Sequence, residues 1–295
     1  MGFFVRFWGT RGSIPTPGRN TYRHGGNTSC VEVRVDDALF VLDGGTGLRE
    51  LGADLLRRST GPISAHLFFS HMHWDHIRGF PFFAPAYQPQ NTFSIYGPSA
   101  GDRRFHKLLS GQMHSDYFPV DFSELHSNIL ASDLGPARTT TLDGVTVRCF
   151  DQRHPGGSYA YSLEKSGTRV VYATDNEIDL TLPDPARVQH DLAAPRQIPL
   201  DLVQFCRDAD LLIADGQYSD AEYPAKTGWG HSRATTVTDL AIQANVRQLA
   251  VFHHDPMHTD SDVDAMIETC RERTVRFGSE LFVFAAREGL TLKLC

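Results

Sequence analysis

The segment "HMHWDH", residues 71–76, places three histidines and one aspartate within six positions, directly after the apolar run "AHLFFS". His71 and His73 are two positions apart, so in an extended or turning segment they leave the same side and can bind one ion. Asp75 and His76 point elsewhere, which suits a second ion. Imidazole and carboxylate ligands suit zinc, manganese or iron, and a catalytic site keeps one position open for water. A chance cluster among the 14 histidines of the chain is the alternative.

Further potential ligands follow other predicted strands. They are His154 after "VTVRCF", Asp175 at the end of "VVYATD", and His253, His254 and Asp255 at the end of "LAVFHHD". A metal site gathers side chains from separate elements, and strand ends supply them at one rim of a fold. Each of these residues alone is a weak signal, but together with the first motif they predict a metal centre.

The elements that must position these residues are strands and Gly-rich turns first, followed by a mixed second half. In the first half we predict strands at "FFVRFWG", "SCVEVRV", "ALFVLDGG" and "AHLFFS", and a helix at "TGLRELGADLLRR". In the second half we predict strands at "VTVRCF", "YAYSLEK", "TRVVYATD", "DLLIADGQY" and "QLAVFHH", with helices at "RATTVTDLAIQAN" and "SDVDAMIETCRERTVRF". Ser261 and Asp262 are the expected caps of the last helix. This order predicts an α/β (α+β) chain with two sheets packed face to face and helices outside.

Composition narrows the class of protein. The 295 residues are 41% hydrophobic and 21% charged, as in an ordinary globular protein, and the formal net charge of −7 argues against a duplex-binding surface. The five cysteines include no CxxC pair, so we expect reduced thiols in a cytoplasmic protein, mostly in its core. We also expect neither a signal peptide nor a membrane partner, because no segment approaches about 18 consecutive apolar residues.

The combination of "HMHWDH", His154, Asp175 and His253 resembles the metallo-β-lactamase superfamily of binuclear metallohydrolases over essentially the whole chain. The resemblance implies a single domain over residues 1–295 with a four-layer αββα sandwich. It also implies two divalent metal ions, with zinc favoured over manganese or iron. One ion would be held by His71, His73 and His154, the other by Asp75, His76 and His253, with Asp175 between them. Asp43 in "LDGGTG" matches an aspartate that orients the ligands in this family.

Two further segments resemble one branch of that superfamily. "GHSRATTV" is similar to the "HST" helix of the ribonuclease Z and phosphodiesterase branch, which implies that His231 donates a proton to the leaving oxygen. The simpler alternative for His231 is a helix N-terminal histidine beside the cap Ser232. "GTRGSIP" and "GGNTSC", which contains Asn27, resemble bacterial cyclic-nucleotide phosphodiesterase-like members. Asn27, His254 and Asp255 are candidates to orient the ligands or to contact substrate.

The resemblance therefore implies a phosphodiesterase that acts on a small phosphodiester such as a cyclic nucleotide. A metal-bridging hydroxide would attack phosphorus, with His231 as general acid and Asp75 as a ligand that also contacts the nucleophile. The alternatives are a lactone or thioester hydrolase, a tRNA 3′-processing endonuclease, and a non-catalytic nucleotide-binding module. The tRNA-gripping arm of ribonuclease Z usually lies between the residues matching His154 and Asp175, but only 21 positions separate them here. We accordingly expect a small-molecule substrate and no long nucleic acid.

An aromatic and Pro-rich insertion is expected at about residues 80–140. Five of its aromatic side chains could stack on a base: Phe82, Phe83, Tyr87, Tyr117 and Phe118. The segment could instead form a lid, additional core or a homodimer contact.

Overall fold

The structure is a computed structural model in which residues 2–98, 104–133 and 139–295 are described. The chain divides into two compact units. The first comprises Met1–Pro17, Gly25–Gly135 and Arg287–Cys295, and the second comprises Gly18–His24 and Pro136–Ala286.

Each unit contains one large sheet and several helices. The strands are β1 (Phe3–Gly9), β2 (Cys30–Val35), β3 (Ala38–Leu42), β4 (Ser64–Phe68), β5 (Thr92–Gly97), β6 (Asn128–Asp133), β7 (Thr139–Leu142), β8 (Val145–Gln152), β9 (Ser158–Lys165), β10 (Thr168–Ala173), β11 (Leu211–Asp215), β12 (Gln248–Phe252), β13 (Phe282–Ala285) and β14 (Thr291–Lys293). The helices are α1 (Gly47–Arg58), α2 (Trp74–Ile77), α3 (Arg104–Gly111), α4 (Pro185–His190), α5 (Leu200–Cys206), α6 (Tyr223–Lys226), α7 (Ala234–Gln243) and α8 (Asp260–Arg276). Short 3-10 turns occupy Arg19–Thr21, Phe80–Phe82, Ala84–Tyr87, Phe122–Glu124 and Ile178–Thr181.

The sheet of the first unit has the order β14-β1-β2-β3-β4-β5-β6. β2 and β3 form an antiparallel hairpin, whereas β3 to β6 run parallel to one another. Helix α1 buries Leu48, Leu51 and Leu55, whose spacing places them on one face. The parallel strands bring their carboxyl ends to one edge of the sheet, and the residues that follow those ends lie together.

The sheet of the second unit has the order β13-β12-β11-β10-β9-β8-β7, with β10 to β13 parallel. Helices α7 and α8 contribute Val237, Leu240, Val263 and Ile267 to its core. The cap of α8 is Thr259, whose side chain accepts from the Asp262 backbone N–H while the Asp262 carboxylate accepts from the Thr259 N–H. The prediction of Ser261 as a cap was therefore wrong, because Thr259 is the N-cap, whereas Asp262 does take part in capping the helix.

The predicted elements are all present, and the α/β class with two sheets is confirmed. Strands β5, β6, β7, β13 and β14 and the short helices α2 to α6 were not predicted. Strands β5 and β6 lie within about residues 80–140 and extend the first sheet, so part of that segment is core. Whether the rest is an insertion stays a prediction, and its residues 99–103 and 134–138 lie outside the described residues.

The cysteines are free thiols, as predicted, in the described parts of the chain. Four are buried and Cys295 is exposed. Burial raises the pKa of the Cys149, Cys206 and Cys270 thiols to about 12, so these groups are poor nucleophiles at neutral pH. No helix within residues 2–98, 104–133 and 139–295 combines the length and hydropathy needed to cross a bilayer.

Candidate metal centre

The first unit places its candidate ligands at the carboxyl ends of two neighbouring parallel strands. Asp43 directly follows β3, and His71 lies three residues beyond the end of β4. His73 then precedes α2, a single turn that carries Asp75 and His76. The rings of His71 and His73 lie 4.5 Å apart between centroids, and those of His71 and His76 lie 4.2 Å apart.

Asp43 organises this group of side chains. Its Oδ1 accepts from the Ser70 backbone N–H at 2.7 Å, and its Oδ2 accepts from the Ser70 hydroxyl and from His76 Nδ1, both at 2.8 Å. Because His76 donates through Nδ1, its Nε2 lone pair remains for a metal ion, and this atom lies 3.2 Å from Asp75 Oδ2. These contacts support the predicted orienting role of Asp43. Ser70 was not predicted as a member of the site.

Asp75 is fixed by the opening loop of the chain. The Ser13 backbone N–H donates to Asp75 Oδ2 at 2.7 Å, and Ser13 adopts a left-handed φ of 63°. The backbone of Gly45 also packs closely against α2. A Cβ on Gly45 would lie 2.2 Å from the Asp75 carbonyl oxygen, so a larger residue would not fit there. Asn27, a predicted site residue, instead accepts from Thr46 Oγ1 at 3.0 Å through its Oδ1, while its Nδ2 donates to Glu288 at 3.1 Å. Within the first unit, the side chain of Asn27 therefore holds Thr46 and Glu288 and does not orient a candidate ligand.

The second unit repeats the strand-end arrangement. Asp175, Asp215 and His253 lie at or just after the carboxyl ends of the adjacent parallel strands β10, β11 and β12. His154 follows β8, which has the same direction because β8 and β10 both pair antiparallel with β9. All four side chains are buried. The strand order alone thus gathers residues that are up to 99 positions apart in sequence.

The two carboxylate oxygens of Asp175 face different imidazoles. Its Oδ1 lies 3.3 Å from His253 Nε2, and its Oδ2 lies 3.7 Å from His154 Nε2. His154 donates through Nδ1 to the Gly230 carbonyl at 2.9 Å, and His253 Nδ1 contacts Gln217 Oε1 at 3.1 Å. Both histidines therefore present Nε2 toward Asp175, which is the arrangement that a bridging carboxylate between two metal-bound imidazoles requires.

His231 lies beside this carboxylate and is paired with Asp215. Its Nδ1 is 2.8 Å from Asp215 Oδ2 and 3.9 Å from Asp175 Oδ2, and its ring stacks on His253 with centroids 4.9 Å apart. One ligand atom from each of these four residues lies within 4.8 Å of the others. Asp215 was not predicted as a site residue, although its position at the end of a buried strand gave the same signal as Asp175.

The loop before His231 is held by Glu177. Its carboxylate accepts from the backbone N–H groups of Gly228 at 2.6 Å and Gly230 at 2.8 Å, and from the Tyr223 hydroxyl at 2.8 Å. Since the Gly230 carbonyl accepts from His154, this loop orients a candidate ligand as well as His231. A Cβ on Gly230 would lie 2.2 Å from His154 Nδ1, so glycine is required for this approach.

Ser232 does not cap helix α7. The residue preceding the helix is Arg233, and the Ser232 hydroxyl donates to the Asn176 carbonyl and accepts from the Ile178 backbone N–H at 3.0 Å. The alternative in which His231 merely precedes a serine cap is therefore wrong. The hydroxyl instead ties the His231 segment to the turn after Asp175.

Asp255 and His254 differ in their relation to the candidate ligands. Asp255 Oδ2 accepts from Gln217 Nε2 at 3.3 Å, and Gln217 in turn contacts His253, so Asp255 orients a ligand through one intermediary. The Nε2 atom of His254 instead donates to the Ala286 carbonyl at 2.9 Å. In the second unit His254 is thus held at the end of β13.

Three of the candidate residues have a strained backbone conformation. Asp43, Asp175 and His253 adopt left-handed φ values of 61°, 49° and 62°. Such a conformation costs on the order of 1 kcal/mol or more for a residue other than glycine and is typical of functional sites. In each case the strained residue follows a strand of the parallel core, and the turn aims the side chain along the sheet edge.

The donor chemistry of each unit fits divalent metal ions. The candidate ligands are imidazole Nε2 atoms and carboxylate oxygens, a set that zinc, manganese and iron accept. His76, His154 and His253 each have Nδ1 engaged by an oxygen atom, which fixes the tautomer that metal binding needs.

Comparisons with known proteins agree with this chemistry. The profile of the family described as "Beta-lactamase superfamily domain" matches residues 39–254. A protein named Ribonuclease Z from Methanosarcina acetivorans is 27% identical and covers 91% of this chain and 92% of its own length. Another protein of that name, from Thermoplasma acidophilum, is 25% identical and covers 91% of both chains.

One solved structure supports the fold. The metallo-beta-lactamase fold protein YhfI from Bacillus subtilis superimposes with a TM-score of 0.69, at 20% identity and over 99% of both chains. The predicted metallo-β-lactamase type of fold is therefore confirmed.

Proposed function

This chain belongs to the beta-lactamase superfamily and is a metal-dependent hydrolase of that superfamily, and we propose that it hydrolyses phosphodiesters at a centre of two divalent metal ions. The observation that carries the proposal is the position of His231, which contacts Asp215 and stacks on His253 beside the Asp175 carboxylate. A phosphodiester with an alkoxide leaving group needs a proton donor at this place, whereas lactone opening needs one less.

We propose that seven residues are the ligands of this centre. They are His71, His73, Asp75, His76, His154, Asp175 and His253. Zinc is the first choice for this ligand set, with manganese and iron as alternatives. When bound, two such ions lower the pKa of a shared water toward about 7 and neutralise charge on the phosphoryl oxygens.

The chain's own residues orient the ligands and move the proton. Asp215 accepts from His231 Nδ1, which stabilises the imidazolium form and leaves the Nε2–H to protonate the departing oxygen. Asp43 and the Gly230 carbonyl hold His76 and His154 in the tautomer that exposes Nε2. Asp75, held by the Ser13 N–H, is the second candidate for a contact with the nucleophile.

The relatives named Ribonuclease Z favour RNA as the substrate. The expectation that this chain has no long nucleic acid partner conflicts with these names, and we propose RNA 3′-end cleavage as the first substrate candidate. A small phosphodiester such as a cyclic nucleotide is the second. It is favoured by the short interval between His154 and Asp175 and by the net charge of −7, because binding a long RNA relies on positive charge.

The proposal is tested by one panel of substrates with the zinc-loaded protein. The panel contains a precursor tRNA with a 3′ trailer, cyclic AMP, bis(p-nitrophenyl) phosphate, a lactone and a β-lactam. We expect turnover of phosphodiesters only, and cleavage of the trailer would select RNA over the small diester. Turnover confined to the lactone or the β-lactam would show that the proposed reaction is wrong.

A further inference from the structure

A cleft of about 510 Å³ opens in the first unit next to Asp75. Its apolar lining comes from Ile14, Pro15, Trp74 and Phe82, and its cationic lining comes from Arg49 and Arg78. The cleft therefore joins an aromatic and aliphatic wall, two guanidinium groups and a candidate metal ligand. Nothing in the ligand arrangement described above requires this combination.

The aromatic wall is exposed although it is strongly apolar. Trp74 is 69% exposed and Phe82 is 54% exposed, whereas neighbouring Phe83 is fully buried in the core. A large apolar side chain that remains in water next to a reactive site is typical of a ligand contact. Of the five aromatic residues predicted to stack on a base, only Phe82 lines this cleft.

The guanidinium groups of Arg49 and Arg78 have few anionic partners among the described residues. The Arg78 guanidinium lies 4.1 Å from the Trp74 ring centroid and makes no ion pair with any residue that the structure describes. Arg49 pairs with its chain neighbour Glu50, and both side chains are substantially exposed. An exposed pair of this kind contributes little, so Arg49 can exchange that partner for a ligand anion.

We propose that this cleft binds the nucleobase of the substrate, with Trp74 as the stacking surface and with Arg49 and Arg78 facing phosphate oxygens. The inference rests on the proposed phosphodiesterase function and narrows its substrates to nucleotide-containing diesters. A flat aromatic surface with guanidinium groups suits a planar base attached to phosphate. Stacking on Trp74 would accept any base, because every base has a flat aromatic face. We therefore expect little discrimination among bases.

The test uses two substrates that share a leaving group. Thymidine 5′-(p-nitrophenyl phosphate) carries a base, and methyl p-nitrophenyl phosphate does not. Stacking is worth about 1–3 kcal/mol per base, so Trp74→Ala should lower kcat/KM for the thymidine ester by roughly 5- to 150-fold. The methyl ester should change by less than about twofold on the same scale. Trp74→Phe should retain most of the thymidine activity because it keeps an aromatic face.

Phe4→Ala is the matched control, because Phe4 is an aromatic residue that is 38% exposed in the same unit but does not line the cleft. Equal losses on both esters in Trp74→Ala would overturn the inference, as would unchanged kcat/KM on both. Calorimetric titration with adenosine 5′-monophosphate separates the inference from the proposed function, because it needs no turnover. Weaker binding in Trp74→Ala is expected, and equal affinity to the unsubstituted protein would contradict a base-binding role even if neither ester is hydrolysed.

Discussion

At the scale of single residues, three candidate histidine ligands are oriented in the same way, through a contact at Nδ1. His76, His154 and His253 are each held at Nδ1 by an oxygen atom, and each presents Nε2 to a carboxylate of its own unit. The partners are chemically different: the Asp43 carboxylate, a backbone carbonyl and the Gln217 amide. What they share is an acceptor that selects the same imidazole tautomer.

The pairing of His231 with Asp215 gives a prediction that depends on the leaving group. His231→Ala and Asp215→Asn should each lower kcat by about 10²- to 10⁴-fold on a diester with an alkoxide leaving group, because proton donation is lost. In both variants kcat for bis(p-nitrophenyl) phosphate should fall far less, since p-nitrophenolate departs without protonation. Steady-state kinetics on the two substrates check this, with Tyr22→Ala as an exposed control in the same unit. Equal losses on both substrates would contradict the proton-donor role.

The candidate ligands could be predicted from sequence, but several of their partners could not. His71, His73, Asp75 and His76 form a local motif, and Asp175 follows a recognisable strand. Ser70, Gln217 and Gly230 gave no such signal. Their contacts depend on the backbone path of turns and on the spacing between strands, and neither follows from hydrophobic periodicity.

At the scale of elements, parallel strands and the turns that follow them position the candidate site. β3 and β4 in the first sheet, and β10 and β12 in the second, are buried apolar runs followed within three residues by a polar candidate residue, and β11 itself ends in Asp215. The strand pattern made these ends predictable. The order of the strands in each sheet was not predictable, because it includes β5, β6, β7, β13 and β14, which were not predicted.

The loop before α7 provides the test at this scale. Glu177→Gln replaces one acceptor oxygen by an NH₂ group, so the amide cannot accept from Gly228, Tyr223 and Gly230 together. Because the Gly230 carbonyl orients His154, a more mobile Gly230 would leave His154 less well oriented. We therefore expect metal affinity to fall by about 10- to 100-fold. Competition with a chelator measures this.

Two comparisons separate that effect from general destabilisation. Glu164→Gln on β9 removes a partly exposed carboxylate from the same unit and should leave metal affinity unchanged. Thermal unfolding of Glu177→Gln should show a loss of about 1–3 kcal/mol, the cost of an unsatisfied buried group. A destabilised protein with unaltered metal affinity would mean that Glu177 supports the fold without positioning His154.

At the scale of the whole molecule, the superfamily follows from sequence, whereas the substrate does not. The metal-binding motif and the strand order indicated the fold that the comparisons confirm. Substrate choice depends on surfaces such as the Trp74 cleft, which is formed by residues from the opening loop, α1, the "HMHWDH" motif and the segment after it. No single motif contains these residues, so their proximity is visible only in the folded chain.

We propose above that the candidate ligands serve a centre of two metal ions, and metal content tests this proposal most directly. After loading with zinc and removal of excess metal, elemental analysis should give about two ions per chain, the count that a two-metal hydrolase requires. Asp175→Ala should retain about one ion or fewer, because the carboxylate that faces both His154 and His253 is lost. Binding of a single ion or none by the unsubstituted protein, or full metal content in Asp175→Ala, would contradict the binuclear centre.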